Sequence, residues 1–220
     1  MRTVTITSLI LAAAAGPLAA QTPQAVLDHA IDTYQKIRTA RVTFTQQVTN
    51  PLTGSAATSH GELLQRRPGY LAVNFSDPAG DRIVADGKWV WIYLPSTNPG
   101  QVIRQRMDAD RAGVPDITAQ LLDAPKERYD VAGAGTATIA GHATHAITLT
   151  AKSKDVPFAK ATLWVDDDDG LVRRFETTDQ NGLVRRVTVD AIKVNAPIDQ
   201  SAFSFHPPRG VKVFDQTGTD

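Results

Sequence analysis

Apolar residues recur at two spacings along this chain, and the change from one to the other falls near residue 38. Val26, Leu27, Ala30, Ile31, Tyr34 and Ile37 form one stripe at helical spacing, with Asp28, Asp32, Gln35 and Lys36 largely outside it. Thr22-Pro23 puts a hydroxyl at the N-cap and proline at the first helical position. An amphipathic helix of about four turns is predicted, with one face that must pack on something. From Arg41 the period becomes two. Val42, Phe44 and Gln46 alternate with Thr43, Thr45 and Gln47, and further strands are expected over Ala56–Arg66, Tyr70–Phe75, Arg82–Ala85, Lys88–Leu94 and Gln101–Arg106. Asn50-Pro51, Pro68-Gly69, Asp77-Pro78 and Asp86-Gly87 separate them. The last is the strongest hairpin signal, suited to positive φ at both turn positions. One strand breaks the simple alternation. Lys88–Leu94 carries Trp89, Trp91 and Tyr93 on one parity and Val90, Ile92 and Leu94 on the other. A sheet with one wet face alternates apolar with polar. This strand is therefore expected to be covered on both faces, by a core on one and by a second layer, a helix or an apolar cavity on the other.

Between Asp108 and Tyr129 the pattern loosens. Ile117, Leu121 and Leu122 support a short helix of about two turns, serving as core filler or as a movable cover over a pocket. Beyond it, Ala137–Ala140, Thr144–Ala151, Ala159–Val165, Leu171–Thr177, Leu183–Ile192 and Phe203–Phe205 read as strands. Asp166–Gly170 and Asn181-Gly182 supply turns, and adjacent hairpins of this kind form an antiparallel meander. The expected fold class is mainly β with helices: an unclosed, strongly curved antiparallel barrel of about ten or eleven strands, with two or three α-helices against its concave side. A sandwich is the alternative, but it leaves the N-terminal helix less to do.

The first twenty residues stand apart. Arg2, the apolar run Leu9–Ala15 and the ending Leu18-Ala19-Ala20 have the layout of a cleavable export signal, residues 1–20. The apolar run is shorter than the roughly 20 residues a membrane span needs. Residues 21–220 are then expected to form a single domain. Lys plus Arg and Asp plus Glu each number 23, so net charge gives no reason to expect nucleic acid or an anionic membrane as a constant partner. Cysteine is absent, which excludes disulfides, thiolate metal sites, a cysteine nucleophile and a cysteine-linked lipid anchor. A soluble, exported protein resting on a real hydrophobic core is expected.

Candidate chemistry is sparse. His142 and His145 are offset by three, which on a strand turns the rings to opposite faces, and no ligand set of metal-type spacing surrounds them. Asp166–Asp169 lacks the spaced ligands and closing Glu of a calcium loop and reads as a solvated turn. Arg173-Arg174 and Arg185-Arg186 each straddle both faces of a strand, so neither builds a nucleic-acid stripe. Without a nucleophile elbow, phosphate loop or HExxH helix, no enzyme and no cofactor is expected.

Several pieces match one family in order. They are Phe44-Thr45-Gln46-Gln47-Val48, Gly61-Glu62-Leu63 followed by Arg67-Pro68, Ile83 to Lys88 running into Trp91-Ile92-Tyr93-Leu94-Pro95, and the ending Phe203 to Val211. Over essentially all of the chain after residue 20, the sequence resembles the periplasmic outer-membrane lipoprotein carrier family, LolA. The resemblance implies an apolar cavity between barrel and helices, and a monomeric periplasmic chaperone. Its implied partners are triacylated lipoproteins, an inner-membrane ABC release complex and, where one exists, an outer-membrane receptor. The family's lid-closing arginine falls on Arg67. The aromatic that commonly follows it is replaced here by Leu71, and residues 108–129 correspond poorly. Leu71, Val73 and Phe75 share parity with Arg67 and are expected on the cavity lining. Trp89, Trp91 and Tyr93 are expected there too, although parity alone does not choose between them and Val90, Ile92 and Leu94. Ordinary core is the bland reading for each. A non-transporting lipid-binding or envelope-stress sensor domain of the same fold is the alternative function.

Overall fold

Helix α1 (Pro23–Lys36) begins where the capping residues put it, the Thr22 hydroxyl accepting a hydrogen bond from the Ala25 N–H at 3.2 Å. The computed structural model describes residues 21–107 and 117–216, so the expected export signal (1–20) and the stretch 108–116 lie outside the described residues. After α1 come β1 (Thr39–Thr49), β2 (Ala56–Arg66), β3 (Tyr70–Asp77), β4 (Arg82–Asp86), β5 (Trp89–Tyr93) and β6 (Gln101–Arg106). Two short helices follow, α2 (Ile117–Leu122) and α3 (Pro125–Arg128). The chain then returns to sheet with β7 (Tyr129–Ile139), β8 (His142–Ala151), β9 (Phe158–Asp166), β10 (Val172–Asp179) and β11 (Val184–Val194). A 3-10 turn (Gln200–Phe203) and a last strand, β12 (Lys212–Gln216), end it.

Among the described residues all twelve strands belong to one sheet, ordered β12-β6-β5-β4-β3-β2-β1-β11-β10-β9-β8-β7. Two meanders, β1 to β6 and β7 to β11, are joined where β1 pairs with β11, from Ala40↔Val194 to Thr49↔Val184. The expected strongly curved antiparallel barrel of ten or eleven strands is not what forms. The sheet is open, with free edges at β7 and β12, is not strongly curled, and is mixed, because β12 runs parallel to β6. Hairpin reasoning missed this strand. It is not delivered by a turn but by a segment that crosses the outer face of the sheet, and a crossover permits a parallel pairing that a hairpin forbids. Phe203–Phe205, expected as the final strand, instead belongs to that crossing segment.

The crossing segment answers the question raised by the doubly apolar strand. Cross-strand register places Leu71, Ala85 and Val90 on one face and Ala72, Val84 and Trp91 on the other. The second face is covered by Phe203, Phe205 and Ile198, which pack with Leu64, Ala72, Val84 and Trp91. The first face meets the helices in the main core, which runs from Val26 and Leu27 to Leu71, Val90, Leu149 and Leu163. The Asp86-Gly87 hairpin forms with positive φ at Gly87 (89°) but not at Asp86. The Asp86 carboxylate instead stays free to accept from the Lys88 and Trp89 N–H groups and from Trp91 Nε1 at 2.8 Å.

Val26, Leu27 and Ala30 are the buried face of α1, which packs on β7, β8 and β9 and touches α2. Leu27 is fully enclosed, so Leu27→Ala removes packing with no room to collapse. It should lower unfolding free energy by about 3 kcal/mol, read from the urea midpoint.

Candidate ligand cavity

Between the inner face of the sheet and the edges of α1 and α2 lies a predominantly apolar cavity of about 180 Å³. Its floor is the junction of the two meanders. Val42 sits opposite Ile192 on one side and Leu63 on the other, a continuous apolar row across three strands. Phe44 and Phe75 meet edge to face, with centroids 5.8 Å apart. Ala30 and Tyr34 of α1 and Ile117 and Leu122 of α2 complete the roof. By its solvent-sized room the space holds on the order of a dozen waters. Its walls give those waters few polar partners, so it suits hydrocarbon better than solvent.

The residues singled out from sequence divide between the two faces. Val73 and Phe75 stand on the cavity wall. Leu71 shares their face but is wholly enclosed in core, outside the lining. Trp91 and Tyr93 face away from the cavity and stack on Phe205 at 5.7 and 5.9 Å. Trp89, on the same parity, lies under the Arg104 guanidinium at 4.5 Å, and Arg104 is ion-paired to Asp215 of β12 at 2.5 Å. Ile83 of β4, paired with both Val73 and Ile92, is the wall residue that cross-strand register adds to the sequence expectation.

Arg67 sits at the end of the cavity where α1 stops. Its Nη1 donates to the Tyr34 carbonyl at 2.9 Å, and its guanidinium carbon lies 3.5 Å from the Tyr34 ring centroid. The same carbonyl accepts from the Ile37 N–H at 3.2 Å, so the cation neutralises the negative end of the helix. Its Nη2 is buried without a hydrogen-bond partner among the described residues.

A further fastening of α1 lies at the turn after β9. Asp166–Asp169, read as a solvated turn, is instead partly buried: Asp166 is 2% exposed and accepts from Arg173 Nε at 2.7 Å and from the Asp168 N–H at 2.9 Å. Burial raises the Asp166 carboxyl, but the Asp168 and Asp169 N–H groups and the Arg173 guanidinium outweigh it and hold the group below the ordinary carboxylate range. His142 and His145 add Nδ1 contacts to Asp166 at 2.7 Å and Asp167 at 2.6 Å. The turn built this way presses on α1. The Asp169 carbonyl accepts from the Thr33 hydroxyl at 2.9 Å, and a Cβ on Gly170 would fall 2.5 Å from that hydroxyl. Only glycine lets helix and turn come this close. The signal available in the sequence was the Arg173 seven positions beyond Asp166, on the returning strand of the same hairpin.

Arg185 is, among the described residues, a cation on the cavity lining itself, and was not picked out. It lies on β11 opposite Val48 and Thr177, and lines the end of the cavity remote from Ile192. Burial lowers the proton affinity of its guanidinium, which the charge of Asp179 partly restores.

A family model described as outer membrane lipoprotein carrier protein LolA matches residues 35–206. The outer-membrane lipoprotein carrier protein of Proteus mirabilis is 28% identical over 183 residues, spanning 82% of this chain and 84% of its own. Its counterpart from Halorhodospira halophila is 26% identical over 216 residues, or 97% and 94% of the two chains. Among solved structures, an uncharacterized conserved protein from Thermus thermophilus superposes with a TM-score of 0.55 at 15% identity, covering 88% of this chain and 98% of that one. This last is a likeness of fold alone.

Proposed function

The chain belongs to the outer-membrane lipoprotein carrier family, LolA, whose members are periplasmic carriers and not enzymes, and from that premise we propose that its cavity shields the acyl chains of triacylated lipoproteins. In this reading it takes them from an inner-membrane ABC release complex and delivers them to the outer membrane. The carrying observation is an apolar cavity roofed by a helix whose edge is fastened by a few polar contacts. Each exposed methylene costs about 0.8 kcal/mol, so three long chains represent on the order of 30 kcal/mol of surface to be hidden. Room for about a dozen waters is far less than three such chains require. The roof must therefore move to admit them, and α1 is the element that moves. Arg67 and the Asp169 carbonyl are two of its clasps, beside the exposed Asp28–Lys126 ion pair and the Asn195 amide on the Lys36 carbonyl, and Val73, Phe75 and Ile83 are wall that opens with it.

The direct test is release of a radiolabelled triacylated lipoprotein from spheroplasts carrying the ABC complex. The purified protein should bring it into a soluble one-to-one complex. Absence of any soluble complex would sink the carrier reading. Arg67→Leu should cost about 1.5–3 kcal/mol in stability, since the charge-assisted hydrogen bond to the Tyr34 carbonyl and the stacking on its ring are lost and a packed Leu offsets only part of them. Onward transfer to outer membranes should fall by about tenfold in the same variant. A drop in melting temperature with transfer unchanged would make Arg67 merely structural.

A further inference from the structure

Two arginines occupy adjacent positions on β11, and they differ in what they have. Arg186 faces outward and is ion-paired with Glu176, its Nη2 at 2.6 Å from Oε2. Arg185 faces the cavity and, among the described residues, makes no hydrogen bond or ion pair. The acidic group that acts on it, Asp179, spends its Oδ1 on the Asn181 and Leu183 N–H groups at 2.8 and 2.9 Å, closing its own turn. A cation drawn into apolar surroundings is costly until an anion meets it. Guanidinium offers a planar fork that fits two oxygens of a carboxylate or phosphate.

Its place in the cavity matters as much as its charge. From Arg185 to Ile192 along β11 is roughly 23 Å at the usual strand rise, and the floor between them is the apolar junction of the two meanders. Arg67, near the opposite end, already donates to Tyr34. The cavity is thus polar at two ends and apolar between, and one end holds a cation with an open coordination face. We propose that Arg185 is a head-group anchor, and that the cavity, widened as its roof moves, takes an anionic single-chain lipid whose carboxylate or phosphate meets Arg185 while its chain runs toward Ile192. The proposal rests on the acyl-binding reading above and adds to it a charged head group and a polarity of binding.

The experiment is displacement of a fluorescent fatty-acyl probe from the purified protein at about pH 8, where carboxylates are ionised. The competitors are palmitate, methyl palmitate and palmitoyl lysophosphatidate. Palmitate or the lysophosphatidate should compete about tenfold or more better than the neutral ester, the range of a charge-assisted contact. Whichever of the two anions competes better identifies the carboxylate or the phosphate as the preferred head. Arg185→Gln should erase the advantage of the anions while leaving methyl palmitate unchanged, and Arg185→Lys should keep part of it. Equal competition by acid and ester in the unaltered protein overturns the anchor but leaves the acyl cavity standing. So does an Arg185→Gln variant that weakens acid and ester alike. Failure of every lipid, probe included, to bind overturns both.

Discussion

Val42→Glu should weaken binding of a fluorescent fatty-acyl probe by about 100-fold, equal to roughly 3 kcal/mol, without unfolding the protein. Val42 is the centre of the apolar row between Ile192 and Leu63 on the cavity floor and is only half-buried, so the longer side chain enters existing space. A carboxylate there either stays charged and holds water against the hydrocarbon, or takes up a proton and still leaves a polar group on the floor. In both cases the ligand loses the contact it came for. Equilibrium titration measures the affinity, and an unchanged far-ultraviolet spectrum confirms the fold. The control is Gln47→Glu on the same strand. It is exposed, of opposite parity to Val42 and outside the cavity lining, and so should cost the probe little. Equal losses at the two positions would mean that the floor is not where the chain lies.

Arg173→Leu is expected to cost about 3 kcal/mol or more of stability, although it replaces a charge with a well-packing side chain. The reason is what it leaves behind. Asp166 is 2% exposed and would keep its charge with only backbone N–H groups and a half-exposed His142 to answer it. The pH dependence gives the argument a sign. In the folded protein the Asp166 carboxyl is held below its unfolded value, so its stabilisation is complete above the ordinary carboxylate pKa and is lost as pH falls through the folded one. The unaltered protein should therefore lose stability on acidification below about pH 4. Arg173→Leu, with the guanidinium's part of that depression removed and the backbone N–H part kept, should show a shallower loss over the same window. Urea midpoints from about pH 3 to pH 7 decide it; parallel curves would place the ion pair outside the stability account.

What could be read in advance was what repeats at short range. The stripe from Val26 to Ile37, the Thr22 cap and the period-two runs located α1 and ten of the first eleven strands closely, because each depends on neighbours within a turn or a hairpin, whereas β7, expected only over Ala137–Ala140, starts at Tyr129. The sheet's outline was misjudged because its edge is set by β12, which reaches β6 only after crossing a whole face. Two parities of one strand were both apolar, so the side on which Trp91 lies could be settled only by knowing that Phe203 and Phe205 return to cover it. The Asp166–Asp169 run shows the limit most plainly. Four acidic residues in a row look solvated, and nothing local says that Arg173 and α1 will close over the first of them. Arg185 escaped for the same reason: a charge on a strand is ordinary, and only the cavity makes it unusual.

The seam between the two meanders has a consequence in time. Each meander is built from hairpins whose partners are near in sequence, but the seam joins Ala40 to Val194 and Thr49 to Val184. Pairings so distant must meet the entropy of closing a long loop before any contact rewards them, and sheets rich in them fold in milliseconds to seconds. The cavity floor lies on that seam. It is therefore among the last parts of the molecule to come into being, when β11 reaches β1. Until then Val42 and Ile192, later partners beneath a ligand, are separate sticky edges on two half-built sheets, which makes this step the one at which a slowly folding chain is most open to aggregation.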